Sequence, residues 1–237
     1  MITVKLNKDN WEIKDGIEFN NYLISKINSE KITWTKSIIN TNMEVLAIKT
    51  PELKSIAKEI SKGNYLSFLD LNLNNYYENT IINGCLITKI KDFDLMRKYL
   101  NVYFENCDNW ATCDLLSFNV KNNEDNYFKL SKEYLKSPKP FVRRGALSIL
   151  FKLIKYDEYI DSILNIINSL YDEKEYYVNM INAWLLCECF IKRREKTLDL
   201  IKNNHINKFT INKAISKCHD SYRVSLGDKE MLKKYRK

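Results

Sequence analysis

Proline is nearly absent from this chain: three residues in 237, beside five glycines and two histidines. All-β folds, and α/β folds built on glycine-rich phosphate loops, need many more chain-turning residues, so both are excluded. A nucleophile–histidine system would have to use His205 or His219. His219 directly follows Cys218, and adjacent helical residues face different directions. No apolar run reaches the roughly 18 residues of a membrane-spanning helix. The opening MITVKLNKDN lacks the apolar core of a secretion signal, so a cytoplasmic protein with no membrane partner is expected. The GxGxxG, P-loop, HExxH and GxSxG signatures of common enzymes are missing. The six cysteines form no CxxC pair. Cys187-x-Cys189 and Cys218-His219 offer two ligands each, too few for a structural zinc, so no metal or cofactor is implied.

Hydrophobic residues make up 45% of the chain, enough for a sizeable core. Their spacing is helical nearly everywhere. Ile160, Ile163, Leu164, Ile167 and Leu170 form one stripe, and Leu53, Ile56, Ala57 and Ile60 another. Thr50-Pro51-Glu52 reads as a helix start with Thr50 as N-cap, and Gly63-Asn64 as its end. Short polar breaks, from Asn74-Asn75 to Ser225, separate helices of roughly 10–17 residues. No linker divides the chain, so residues 1–237 are expected to form a single all-α domain. Antiparallel helix pairs of about 40 residues would stack as a HEAT-like helical-repeat solenoid with a concave face. An irregular helical bundle is the alternative.

The net charge of +8 is unevenly placed. From Lys192 to Lys237, fourteen basic residues stand against five acidic ones, and the rest of the chain is close to neutral. This asymmetry suits a polyanion partner, or else a solvated basic face. Only seven of the 38 basic residues are arginine. Lysine attracts phosphate diffusely, whereas base edges are read mainly by arginine, so any nucleic-acid binding should depend on the backbone.

Three segments hold candidate chemistry. In Asp108-Asn109-Trp110-Ala111-Thr112-Cys113-Asp114, Asp108 or Asn109 can cap a helix. Trp110 and Asp114 then share a face, which Phe118 continues. A carboxylate between aromatic rings should face a cleft or a cation, unless Trp110 is simply core and Asp114 solvated. In Pro140-Phe141-Val142-Arg143-Arg144, two arginines sit at the unfavourable end of a helix dipole, which calls for an anion or an acidic neighbour. Trp184 lies in a strongly apolar helix. Asp114, Arg144 and Trp184 are spaced by about one helix pair each.

These residues, in order, resemble the AlkD-like DNA alkylation repair family of HEAT-like alkylpurine DNA glycosylases. The resemblance rests on Leu46-Ala47-Ile48-Lys49-Thr50-Pro51-Glu52-Leu53 with Ile56-Ala57-Lys58, on Tyr77-Glu78, and on Asn109-Trp110-Ala111-Thr112-Cys113-Asp114. It continues through Phe141-Val142-Arg143-Arg144, Tyr176-Tyr177-Val178-Asn179-Met180 with Ala183-Trp184, Asn212-Lys213-Ala214-Ile215 and Ser221-Tyr222-Arg223-Val224-Ser225. It covers roughly residues 35–237. It implies a monomer with a concave basic cleft that excises positively charged N3- or N7-alkylated purines from duplex DNA. Asp114 matches the catalytic aspartate, Trp110 and Trp184 the cleft tryptophans, and Arg144 the active-site arginine. Lys139, Arg143, Lys192, Arg193, Arg194, Lys213, Lys217 and Arg223 are the expected DNA-binding set. An aromatic residue that often precedes the Leu-x-Ile-x-Thr-Pro stretch falls here near Ile38 or Ile39, with Trp34 as the ring that can replace it. Two other readings remain: a HEAT-like protein that binds damaged or branched DNA without catalysis, and a protein-binding scaffold.

Overall fold

Fourteen α-helices and no strand make up the computed structural model, which describes residues 4–237. The chain divides into two compact units, Met1–Asn119 and Val120–Lys237. No helix is long and apolar enough to cross a membrane among the described residues.

The first unit holds α1 (Ile13–Ile24), α2 (Ile32–Ile39), α3 (Thr50–Ile60), α4 (Tyr65–Asp70), α5 (Tyr77–Ile87), α6 (Phe93–Glu105) and α7 (Trp110–Asp114). Helix α5 is its centre and packs against α3, α4, α6 and α7. It has no polar face: all of its residues except Cys85 are buried. A helix surrounded in this way must satisfy its polar side chains internally. Glu78 does so with backbone. Its carboxylate accepts from the Leu46 N–H at 3.1 Å to each oxygen and from the Ile48 N–H at 3.3 Å. Ala47, between them, adopts a left-handed φ of 58°. That turn points successive N–H groups into one concavity, a nest for an anion. The separated motifs Leu46-Ala47-Ile48 and Tyr77-Glu78 are therefore two halves of one contact.

Two expected helix signals act differently in the structure. Helix α3 is capped by Lys49 rather than Thr50, with no side-chain cap bond. Pro51 still lies in its first turn, where a missing N–H costs nothing. Gly63 has no positive φ and does not end α3 by a left-handed turn. A Cβ there would lie 2.3 Å from the Lys8 carbonyl oxygen, so glycine is needed for the close approach of the N-terminal segment. The next residue, Asn64, donates its N–H to Lys8 at 2.8 Å and caps α4. The stripe Leu53, Ile56, Ala57 and Ile60 is buried as expected.

The second unit holds α8 (Glu124–Tyr134), α9 (Pro140–Leu153), α10 (Asp157–Ser169), α11 (Tyr176–Lys192), α12 (Arg194–Lys202), α13 (Lys208–Asp220) and α14 (Leu226–Lys233). Helices α9, α11 and α13 pack side by side in that order, while α10 and α12 pack on them and on each other. This alternation is a helical-repeat arrangement, each pair burying the face its neighbour leaves. The α10 residues Ile160, Ile163, Leu164 and Ile167 are buried. Asn179 of α11 is buried too. Its Oδ1 accepts from Thr210 Oγ1 at 2.8 Å and Asn207 Nδ2 at 2.9 Å, fixing the start of α13.

Burial pushes the Glu78 carboxyl above its ordinary value, against the lowering effect of the N–H groups. For a raised acid, the stabilising contribution is complete below the unfolded value of about 4.3. It falls as pH rises through the folded value. Replacing Glu78 by Ala should cost about 3 kcal/mol, because buried N–H groups lose their acceptor. Urea midpoints measure this. Between pH 4 and 7 the wild type should lose stability relative to Glu78→Gln, whose side chain does not titrate.

Candidate functional site

In the first unit the candidate chemistry sits on a helix of five residues. Helix α7 begins at Asn109, which is fully buried and accepts from the Thr112 N–H at 3.1 Å. It ends at Asp114, so Phe118 lies beyond it and does not continue a helical stripe. Phe118 is buried instead through the following segment. Trp110 and Asp114 keep their i, i+4 relation and are both half-buried, within reach of solvent.

So short a helix does not hold itself together, because helix nucleation is costly. Neighbours fix it. Asp108, just before it, accepts from Thr41 Oγ1 at 2.5 Å and from the Asn42 N–H at 2.7 Å. The Trp110 indole N–H donates to the Ile38 carbonyl at 3.2 Å. Both tie α7 to the C-terminal end of α2, where Asn40 makes a left-handed cap. On the inner side, the Tyr103 hydroxyl donates to the Thr112 carbonyl at 2.8 Å. Gly84 of α5 lets Tyr103 approach: a Cβ there would lie 2.9 Å from the Tyr103 hydroxyl. Trp34, one helical turn from Ile38 on α2, is exposed, as is Ile38. Trp34 thus lies on the helix whose Ile38 carbonyl accepts from the Trp110 indole.

The second unit gathers a different group. A cavity of about 480 Å³ is lined by Trp184, Cys187 and Glu188 of α11, Lys217 and Asp220 of α13, and Ser221, Tyr222 and Arg223 after it. Trp184 is 41% exposed. Phe151 of α9 meets its ring edge-on at 5.0 Å, and Lys217 Nζ lies 5.6 Å from its centroid. Trp184, Lys217 and Arg223 are thus brought together. Cys187, in its lining, pairs with the buried Cys218. The hydrogen bond between them lowers the Cys187 thiol and raises that of Cys218, with Arg223 and Lys217 helping to lower Cys187. Among the described residues, no three His, Cys, Asp or Glu side chains lie close enough to hold a metal.

Arg144 is 5% exposed, and its Nη1 donates to the Tyr177 carbonyl at 2.6 Å. Arg143 forms a two-bond fork with Glu173, at 2.8 and 3.0 Å, and donates to the Ser137 and Pro138 carbonyls. The acidic neighbour that its place at a helix start calls for is Glu173, 30 residues on. Arg194 is forked onto Asp228 and also bonded to Glu195. Arg193 pairs with Asp157 at 2.6 Å. Arg223 is forked onto Glu188. The lysines are placed differently. Lys139 and Lys192 are exposed at the start of α9 and the end of α11, and Lys213 is exposed with its Nζ 5.9 Å from the Phe209 ring.

Thr41 and Glu188 are missed by sequence reasoning, and Asp108 is read only as a possible helix cap. Glu188 has a signal in its i, i+4 spacing from Trp184. The pairing of Asp108 with a loop 66 residues away has none.

The profile of the family described as DNA alkylation repair enzyme matches residues 19–218. No curated protein and no solved structure matches the chain.

Removing the Asp108 carboxylate should loosen α7 as a unit. Asp108→Ala is expected to lower stability by about 2 kcal/mol, since the Asn42 N–H and the Thr41 hydroxyl lose a charged acceptor. The indole N–H resonance of Trp110, assigned by its loss in Trp110→Phe, should exchange faster with solvent. An unchanged exchange rate would show that the Ile38 contact holds the ring alone.

Proposed function

The chain belongs to the family of DNA alkylation repair enzymes, and we propose that it is a DNA glycosylase releasing positively charged N3- or N7-alkylated purines from duplex DNA. The observation that carries this reading is the placement of Asp114. A carboxylate stands at the end of a helix too short to set its own geometry, yet pinned on both sides, one turn from a tryptophan whose orientation is fixed by its indole N–H.

The chemistry asks little of an acid. An alkylated purine carries a positive charge and leaves as the neutral free base when the C1′–N bond breaks. The deoxyribose becomes oxocarbenium-like, and water adds at C1′ with release of one proton. Asp114 is suited to stabilising the sugar cation and to accepting that proton, as a carboxylate does in glycoside hydrolysis. The face of Trp110 is suited to the cationic nucleotide. In the second unit, Trp184 offers another aromatic face, beside Lys217 and Arg223 for the phosphodiester. Arg144 acts through α11: its bond to the Tyr177 carbonyl fixes the helix two turns before Trp184. Lys139, Lys192 and Lys213 supply diffuse attraction to the backbone, so binding should weaken steeply with salt. This reading takes both units together, and the family profile runs through the boundary between them.

One observation favours the second reading, DNA binding without excision. Arg144 is buried and Arg143 is occupied by Glu173, which leaves fewer guanidiniums for a strained substrate.

Duplex DNA carrying 7-methylguanine separates the two. The wild type is expected to release free 7-methylguanine. Asp114→Asn should reduce release at least about a hundredfold, the scale of losing one electrostatic stabiliser, while binding to undamaged duplex stays within about twofold. Tight binding with no release by the wild type would place the chain with the non-catalytic reading.

A further inference from the structure

Arg223 already holds an anion, the Glu188 carboxylate. We propose that Glu188 restrains DNA binding at the cavity beside Trp184: its carboxylate occupies the Arg223 fork that a phosphodiester would otherwise take. This inference rests on the DNA-binding part of the reading above and not on base excision.

The geometry is that of a phosphate clamp. Two guanidinium nitrogens of Arg223 donate to the two carboxylate oxygens of Glu188, Nη1 to Oε2 at 3.0 Å and Nη2 to Oε1. This parallel fork is how arginine holds either a carboxylate or a phosphate. The two partners differ in burial. The Glu188 side chain is 13% exposed, whereas that of Arg223 is 42% exposed and opens onto the cavity. Glu188 therefore reaches up from α11 to a guanidinium standing at the mouth. The Ser221 hydroxyl accepts from the Arg223 backbone N–H at 3.2 Å, which holds the loop that carries it.

The surroundings fit an anionic strand passing an aromatic face. Lys217 lies on the same wall, over the Trp184 ring. Trp184 is one helical turn before Glu188, so the ring and the carboxylate share a face of α11. A phosphate arriving at Arg223 replaces Glu188 in the fork. The exchange keeps the guanidinium paired throughout but leaves a carboxylate beside the strand. Glu188 thereby holds affinity down at this one site. Its neutral isostere frees the fork without changing its shape.

Binding to a fluorescein-labelled, undamaged duplex, measured by anisotropy at several salt concentrations, tests this. Glu188→Gln should bind about tenfold more tightly than the wild type near 0.1 M salt. Its salt dependence should steepen by about one counterion. Glu230→Gln makes the same charge change on α14, at an exposed residue paired with Lys233 at 2.6 Å. It should tighten binding less than about twofold. Arg223→Ala should cost several-fold more affinity in the Glu188→Gln background than in the wild type. A gain in Glu188→Gln no larger than in Glu230→Gln, or one that survives Arg223→Ala, overturns the inference while leaving DNA binding intact. No binding by either wild type or Glu188→Gln overturns both readings.

Discussion

An ionisable side chain at the centre of the first unit sets the terms for what surrounds it. Glu78 is fully buried on a helix enclosed by four others. Burying a carboxylate costs several kcal/mol unless donors converge on it. The donors here are main-chain N–H groups of Leu46 and Ile48, gathered by a left-handed alanine. The contact works in both directions: the carboxylate needs the nest, and the buried non-helical segment needs an acceptor for N–H groups that no helix or sheet satisfies. Helix α3 follows that segment directly and packs on α5. The order of the unit is thereby fixed from its interior outward, before any surface charge contributes.

Charge acts at longer range and to a different end in the second unit. Arg143, Arg193, Arg194 and Arg223 each meet a carboxylate carried by another helix or loop. Such pairs knit consecutive repeats, and the less exposed ones are worth more than the roughly 0–1 kcal/mol of a surface pair. They also sort the basic residues by task. Arg143, Arg193 and Arg194 tie one element to another, while Lys192 and Lys213 stand exposed at the surface. A surface of that kind attracts a phosphate backbone without reading bases. That agrees with the proposed chemistry, in which the lesion's own positive charge, rather than a base-edge pattern, would distinguish the substrate.

The fold was legible wherever a signal is local and periodic. The stripe of α3 is buried, as is that of α10 except Leu170 beyond its last turn, Asn109 caps α7, and Pro140 opens α9. It was less legible where one residue type serves two purposes. Gly63 looked like a helix end and is a point of close chain approach. Phe118 looked like a continuation of α7 and belongs to the core beyond it. The site was legible in its residue types and not in its connections. Trp110 with Asp114 could be picked out, and Trp184 and Lys217 each singly, but Trp184–Lys217, Asp108–Thr41, Arg143–Glu173 and Arg223–Glu188 join positions 30 to 67 residues apart. Spacing within one helix carries no information about such partners, because they are set by how helices pack.

A five-residue helix bearing the proposed catalytic carboxylate is an economical arrangement with a cost. Helix α7 has too few internal hydrogen bonds to hold Asp114 within the sub-ångström tolerance that catalysis requires. Its precision is borrowed from Asp108 and the Trp110 indole on one side and from Tyr103 on the other. Tyr103 in turn stands where it does because residue 84 has no side chain. Position 84 is mid-helix, where alanine would normally stabilise by about 1 kcal/mol. Glycine there forgoes that gain to admit a phenol that anchors the next element. The chain of dependence runs from a core glycine, through a buried tyrosine, to a carboxylate at the surface. The function proposed for Asp114 would therefore be as sensitive to interior packing as to the residues that touch DNA.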